Sequence, residues 1–296
     1  MFFYLWLNRN PTVMMTFTEK LTRSIQSSNS VLSVGLDPDP DKIPLPLRQQ
    51  ISDPHDLVFE FCRRVIESTK SEAAAYKPNL AFFEALGSGG LRVLESLLDV
   101  IPHGKIIIAD AKRGDIGTTA AKYKVAFFDK MQVDAITLNP LMGLETLDPF
   151  LDDSSKAVYV LTMTSNRGAA DFLQTPVKGR LSLGEYISEH LFKKQGESAA
   201  PLGMVIGATQ AEISGRVLRA NPGAHLLIPG IGAQGGDPNR LRDLLTDHVG
   251  LPLINSSRAI NYAGGDNENW EELVALKASE TRQQIDLITK KYIVQE

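Results

Sequence analysis

The chain has 296 residues, 43% hydrophobic and 22% charged, which is the mixture of an ordinary globular protein and not of a disordered, collagen-like or disulfide-stapled one. Its 31 basic and 35 acidic residues leave a net charge of −4, so it lacks the electrostatic footprint of a general nucleic-acid binder, although two or three basic side chains suffice to hold a small anion. The single cysteine, Cys62, excludes an internal disulfide and suits a reducing, cytoplasmic setting.

The opening MFFYLWLNRN has an apolar run of only seven residues, with no leading positive charge and no small-residue cleavage site. It reads as neither a signal peptide nor a membrane span. Helical patterning begins at TFTEKL, so residues 1–15 are expected to lie outside the fold and 16–296 to form one domain. Eight apolar runs of strand character follow: 31–37 (VLSVGLD), 73–78 (AAAYKP), 105–112 (KIIIADAK), 134–140 (DAITLNP), 157–165 (AVYVLTMTS), 203–209 (GMVIGAT), 225–232 (HLLIPGIG) and 252–260 (PLINSSRAI).

Helical stretches separate these runs. Asp53 followed by Pro54 is a capping residue with proline at the first helical position, opening 57–68. The stripe Leu57, Val58, Phe61, Cys62, Val65, Ile66 makes Cys62 a core thiol. Asp237 and Pro238 open 239–247 in the same way, and 268–293 predicts one or two closing helices. Near-continuous apolar strands such as Ile106, Ile107 and Ile108 imply burial on both faces, as in a parallel sheet covered by helices. Eight such β/α units predict an α/β fold of the (β/α)8 TIM-barrel type, a single domain, with an open doubly wound sheet as the alternative.

In such a barrel, function collects at the carboxyl ends of the strands. Asp37 ends the first strand, Lys77 lies on the second, and Asp110 and Lys112 end the third. Strand alternation puts Asp110 and Lys112 on the face of Ile106 and Ile108, at the mouth. Asp115 follows in the turn, and the expected result is one cluster of alternating carboxylates and ammoniums. A rim-stiffening salt-bridge network, with Asp115 capping the next helix, is the plainer reading. Carboxylates around Lys112 favour its ammonium form, which disfavours a Schiff base and suits proton donation or stabilisation of negative charge.

A Mg²⁺ site on Asp110 and Asp115 is conceivable from the donor chemistry, but the adjacent ammonium opposes a cation. No metal is therefore expected. The five histidines lie away from this cluster. A glycine-rich turn, 230–237 (GIGAQGGD), precedes Arg258 by one strand, and together they predict a phosphate grip. Thr164, Ser165, Asn166, Arg167 and Gly168 follow the fifth strand and could contact a heterocycle, with the polar segment beyond them long enough for a lid.

The run Asp110-Ala111-Lys112-Arg113-Gly114-Asp115-Ile116-Gly117-Thr118-Thr119 resembles the signature of the orotidine 5′-phosphate decarboxylase family. So do Leu36-Asp37, Ala75-Tyr76-Lys77-Pro78-Asn79, Thr164-Ser165-Asn166, Gly232-Ala233-Gln234-Gly235-Gly236 and Arg258. The matches run in order from about residue 30 to 262, and the length is similar to that of the longer bacterial (type 2) subgroup. The resemblance implies decarboxylation of orotidine 5′-monophosphate to UMP and CO₂ in pyrimidine biosynthesis, without metal or organic cofactor, in the cytoplasm.

It further implies that Lys112 protonates C6 of the pyrimidine and that Asp110 sits beside the departing carboxylate. Lys77 and Asp37 would hold the array and the ribose hydroxyls, and Ser165 the pyrimidine. Gln234, Gly235 and Arg258 would take the phosphate, with Ile116 also contacting substrate. Asp115 and Thr119 would reach the neighbouring active site of a homodimer. Arg167 stands where many relatives carry proline, and the segment before Thr16 has no counterpart. On the residues alone, a Mg²⁺-dependent sugar-phosphate lyase and a non-catalytic nucleotide-binding barrel remain alternatives.

Overall fold

The computed structural model describes residues 14–207, 211–229 and 238–293. Eight parallel strands close into a barrel in which each strand pairs with its sequence neighbours. They are β1 (Leu32–Leu36), β2 (Ala75–Pro78), β3 (Ile106–Arg113), β4 (Ala135–Leu138), β5 (Ala157–Met163), β6 (Leu202–Ile206), β7 (Leu226–Pro229) and β8 (Pro252–Ser256). The register Leu32↔Ile254 and Ser33↔Asn255 between β1 and β8 closes the ring, which excludes the open doubly wound sheet. All eight expected strand runs are present, with described ends that differ from the expected ones by a few residues, β3 reaching Arg113 and β6 starting at Leu202.

Alternation fills the interior. Lys77, Asp110, Thr137, Leu161 and Val205 line the mouth. The residues two positions earlier, Ala75, Ile108, Ala135, Tyr159 and Gly203, therefore point inward beneath them, and all are buried. Tyr159 fits because its cross-strand partner is glycine. A Cβ on Gly203 would lie 2.7 Å from the Tyr159 ring and 2.8 Å from the His225 carbonyl oxygen.

The opposite end of the barrel is closed by the helix Phe17–Ser28. Its buried side chains, Phe17, Leu21, Ser24, Ile25 and Ser28, repeat at helical spacing. The Thr16/Glu19 capping box starts it, with the Thr16 amide donating to Glu19 Oε2 at 2.8 Å. The Phe17 amide donates to the Ser154 carbonyl at 2.8 Å, and the ring meets Tyr159 edge-on at 6.3 Å between centroids. Ser24 Oγ donates to the Ala74 carbonyl at 2.6 Å, and Lys20 reaches Asp134 at 3.1 Å. Each partner stands at or just before the start of a strand, so this helix seals the amino-terminal mouth and leaves the carboxyl-terminal one open.

His225 is part of the same seal. The Leu251 amide donates to its Nδ1 at 3.2 Å, so Nε2 carries the proton and donates to Thr18 Oγ1 at 2.9 Å. Burial, with His248 nearby, pushes its pKa down to about 4.

The outer helices follow the expected caps. Asp53 accepts from the amides of His55 and Asp56 at 2.8 and 3.0 Å at the head of Pro54–Thr69. Cys62 is buried on that helix, and burial, with the nearby Asp37 charge, raises its thiol pKa. The closing segment is one helix, Trp270–Ile293, tied to its neighbours by Arg64–Glu271 at 2.8 Å and Arg282–Glu72 at 2.6 Å. Between β5 and β6, the segment expected to be a lid contains a short helix, Ala169–Phe172, and a small antiparallel ribbon pairing Pro176–Lys178 with Leu181–Ser182. Among the described residues, no helix is long and apolar enough to cross a membrane.

Truncating Phe17 to Ala removes a fully buried ring from the barrel floor. The expected loss is about 3–5 kcal/mol of unfolding free energy, read from urea or guanidinium midpoints. A change below about 1 kcal/mol would mean that the helix is not part of the folded core.

Candidate active site

A cavity of about 280 Å³ opens at the carboxyl ends of the strands. Asp37, Lys77, Asn79, Asp110, Lys112, Thr137, Ser165, Asn255 and Arg258 are among its lining residues. The centre of the arrangement is Asp110. Its Oδ2 accepts from Lys77 Nζ at 2.6 Å, and its Oδ1 accepts from Lys112 Nζ and, at 3.1 Å, from Thr137 Oγ1. Burial opposes ionisation of this carboxyl. The charges of Lys77 and Lys112, with their hydrogen bonds, outweigh that penalty and hold it well below the usual carboxylate range.

The two lysines stand in different environments. The Lys77 side chain is 7% exposed and that of Lys112 is 50% exposed. Lys77 is thus a buried counter-charge that fixes Asp110, and Lys112 is the ammonium presented to the cavity. The backbone sets that presentation. The β3–β4 ladder slips between Ala109 and Arg113, and Lys112 adopts the left-handed region at φ +49°. A residue with a Cβ seldom takes that conformation, and such strain collects at functional sites.

Asp37 follows β1 at the cavity wall. Its amide donates to Asn261 Oδ1 at 3.2 Å, and its carbonyl accepts from the Tyr262 hydroxyl at 2.6 Å. Its carboxylate Oδ1 is buried without a hydrogen-bond partner among the described residues, so it can accept from a ligand donor. Asp37 and Lys77 share the cavity, as expected, without a hydrogen bond between them.

The loop after β5 brings Thr164, Ser165 and Asn166 to the wall, with Thr164 Oγ1 donating to Asn166 Oδ1 at 2.7 Å. Gly207 makes the approach possible, since a Cβ there would lie 2.6 Å from the Ser165 amide nitrogen and Cα. Arg258 opens the short helix Arg258–Asn261 and lines the cavity. Beneath it, Gly35 leaves space for Ser257, whose Oγ would be 1.8 Å from an added Cβ.

Asp115, Ile116 and Thr119 do not join this cluster. Asp115 Oδ1 accepts from the Ile116 amide at 2.8 Å, and the helix Gly117–Lys124 begins without a side-chain cap. Asp115 follows the Lys112 kink and is not among the residues that line the cavity. Neither the expected single cluster nor the helix-capping role holds for Asp115 within this chain. Ile116 and Thr119 are exposed. Gln234 and Gly235, expected to take phosphate, lie outside the described residues. Thr137 and Asn255 belong to the site but to no motif noted in the sequence. Their signal was a polar residue near the carboxyl end of an otherwise apolar strand, at inward-facing parity. Among the described residues, no group of three or more His, Cys, Asp or Glu side chains is arranged to hold a metal.

A closed parallel barrel with a carboxylate clamped between two ammoniums at its strand ends defines a barrel enzyme built to handle negative charge. The chain belongs to the orotidine 5′-phosphate decarboxylase / HUMPS family, whose model matches residues 30–273. It is 40% identical to the orotidine 5′-phosphate decarboxylase of Christiangramia forsetii over 90% of this chain and 97% of that relative. It is 38% identical to the Dehalococcoides mccartyi enzyme of the same name over 94% and 100%. Among solved structures, OMP decarboxylase of Leishmania donovani superposes with a TM-score of 0.77 at 33% identity, covering 93% of this chain and 98% of that one. The UMP synthase of the same organism gives 0.78 at 35%, with 93% of this chain matching 56% of the longer protein.

Replacing Asp110 by Asn leaves the buried Lys77 ammonium without a counter-charge. The expected loss is about 3–5 kcal/mol of stability at pH 7, measured by denaturant unfolding. The folded pKa of Asp110 is depressed, so its contribution is complete above the unfolded value of about 3.9 and lost as pH falls below it. The gap between wild type and Asp110→Asn should therefore narrow between about pH 5 and pH 2. A gap independent of pH would contradict the charge assignment.

Proposed function

We propose that this protein decarboxylates orotidine 5′-monophosphate to UMP and CO₂, the step that yields UMP in pyrimidine biosynthesis, without metal or organic cofactor. The observation carrying this reading is the Lys112 ammonium, half exposed to the cavity and hydrogen-bonded to Asp110. The family membership and the relatives of the same name support the substrate assignment.

The chemistry follows from where charge develops. Breaking the C6–carboxylate bond releases CO₂ and leaves the electron pair on C6, in an orbital the ring cannot delocalise as an enolate. A fixed cation must stabilise that pair, and Lys112 supplies one whose position is set before substrate arrives. A proton then passes from Lys112 Nζ to C6, giving UMP and a neutral amine that regains its proton from water. The exposure of Lys112 allows that return. Asp110 stands beside the departing carboxylate and holds the Lys112 ammonium in place, and Lys77 keeps Asp110 ionised. Asp37, with its unpartnered buried oxygen, accepts from a ribose hydroxyl. Ser165 contacts the pyrimidine, and Arg258, Gln234 and Gly235 take the phosphate. Binding energy from those remote groups serves the chemical step by holding the ring in place.

The working unit in this reading is a cytoplasmic homodimer in which Asp115 and Thr119 reach the neighbour's site and Ile116 contacts substrate. Their position outside their own cavity supports it, as does the exposed apolar surface of Ile116, Leu141 and Met142.

The purified protein should convert orotidine 5′-monophosphate at an unchanged rate in EDTA, and Lys112→Ala should lose at least about 10³-fold in kcat. Chelator-sensitive turnover, or a Lys112→Ala rate equal to wild type, would overturn the mechanism. Arg258→Ala should raise KM about 10-fold or more through loss of a charge-assisted contact. An unchanged KM would remove Arg258 from phosphate binding.

A further inference from the structure

We propose that Thr137 is a positioning residue for the decarboxylation, one hydroxyl holding both the backbone of Lys112 and the carboxylate of Asp110 in register. The inference rests on the function proposed above and concerns how its central ammonium is aimed. Thr137 is buried on β4, directly across the slipped part of the β3–β4 ladder. Its Oγ1 accepts from the Lys112 amide at 2.9 Å and donates to Asp110 Oδ1 at 3.1 Å. A hydroxyl has a single proton, so these two bonds use it in one direction: amide to hydroxyl to carboxylate.

The slip explains why a side chain is needed. In a regular parallel ladder, neighbouring backbone carbonyls take the amides of β3. Here the pairing is regular at Ala109↔Ile136, is lost, and resumes at Arg113↔Leu138. The amide of Lys112 falls in the gap, and Thr137 Oγ1 takes the place of the missing carbonyl. Just past the end of β4, the Asn139 amide donates to the Arg113 carbonyl at 2.7 Å, so the interruption is local. The same gap is where Lys112 adopts φ +49°. The hydroxyl thereby ties an unusual backbone conformation to the carboxylate on which the lysine's own ammonium rests. Backbone and side-chain ends of Lys112 are fixed through Thr137 and Asp110 together.

The consequence is geometric. Without the hydroxyl, the Lys112 amide has no acceptor in the ladder gap, the kink relaxes, and Nζ shifts relative to the substrate. A displacement on the order of 1 Å at a reacting group can slow a reaction by about 100-fold. Substrate binding draws on other groups and should be spared.

The test compares Thr137→Val, which keeps the shape and removes the hydroxyl, with Thr137→Ser, which keeps the hydroxyl. Orotidine 5′-monophosphate turnover is measured for both beside wild type, with thermal midpoints to record folding. The expected result is a 10- to 100-fold loss of kcat in the Val variant, with KM within about threefold of wild type, and Ser within about threefold in both constants. Should the Val protein not fold, Thr137→Ala against Thr137→Ser isolates the hydroxyl in the same way, since both lack the methyl. Folded Val or Ala variants with wild-type kcat would overturn the proposal. Equal losses in the Ser variant and its partner, tracking their thermal midpoints, would overturn it too, because packing would then be the role of Thr137. A loss confined to KM would also contradict it. A wild-type protein that does not turn over orotidine 5′-monophosphate would instead defeat the functional reading on which the proposal stands.

Discussion

The site depends on one buried carboxylate that cannot exist there alone. Asp110 sits where water is scarce, and an unpaired charge in such a place neutralises itself or destabilises the fold. Two ammoniums, one from β2 and one from β3 itself, and a hydroxyl from β4 prevent both outcomes. That requirement runs through the rest of the molecule. β2 must deliver Lys77 level with Asp110, so the β2–β3 register matters. β3 must kink so that a residue two positions along can fold its ammonium back onto the same carboxylate. The closed barrel is what makes three strands rigid enough to keep those positions within hydrogen-bond tolerance.

The barrel itself is polarised. One end is filled by the ring of Phe17 against Tyr159 and sealed by side-chain bonds to residues at or just before the strand starts. The other end is open and polar. A plug that stabilises one mouth leaves the opposite mouth free to carry buried charge, a division of labour between stability and chemistry expected of this architecture. Glycine serves the same division at two points. Gly203 makes room for Tyr159 inside the barrel, and Gly207 lets Ser165 approach the cavity.

Much of this was legible in the sequence because the period of the pattern and the chemistry of the strand ends are local properties. Runs such as Ile106-Ile107-Ile108 can only be buried on both faces, and Asp53-Pro54 can hardly be anything but a helix start. Asp110 and Lys112 line the mouth together as the sequence predicts, although Lys112 gets there through the kink and not through regular alternation. What escaped was whatever depended on departure from regular geometry. The β3 slip and the left-handed Lys112 have no residue signature, and Asp115, in the turn beyond them, does not join the cluster that its spacing predicts. In the sequence Thr137 is one more β-branched strand residue; only the lost β3–β4 register leaves the Lys112 amide to its hydroxyl. The antiparallel ribbon between β5 and β6 is two or three residues per strand, too short for alternation to register.

The central claim is that the Lys112 ammonium, steadied by Asp110, faces the carbon that loses its carboxylate. Its most direct test is a crystal structure of the protein with a UMP analogue carrying a small anionic substituent at C6. The account predicts Lys112 Nζ about 3–3.5 Å from the substituent or from C6, still bonded to Asp110. A Lys112 side chain swung out into solvent, with the C6 position facing only uncharged groups, would contradict it.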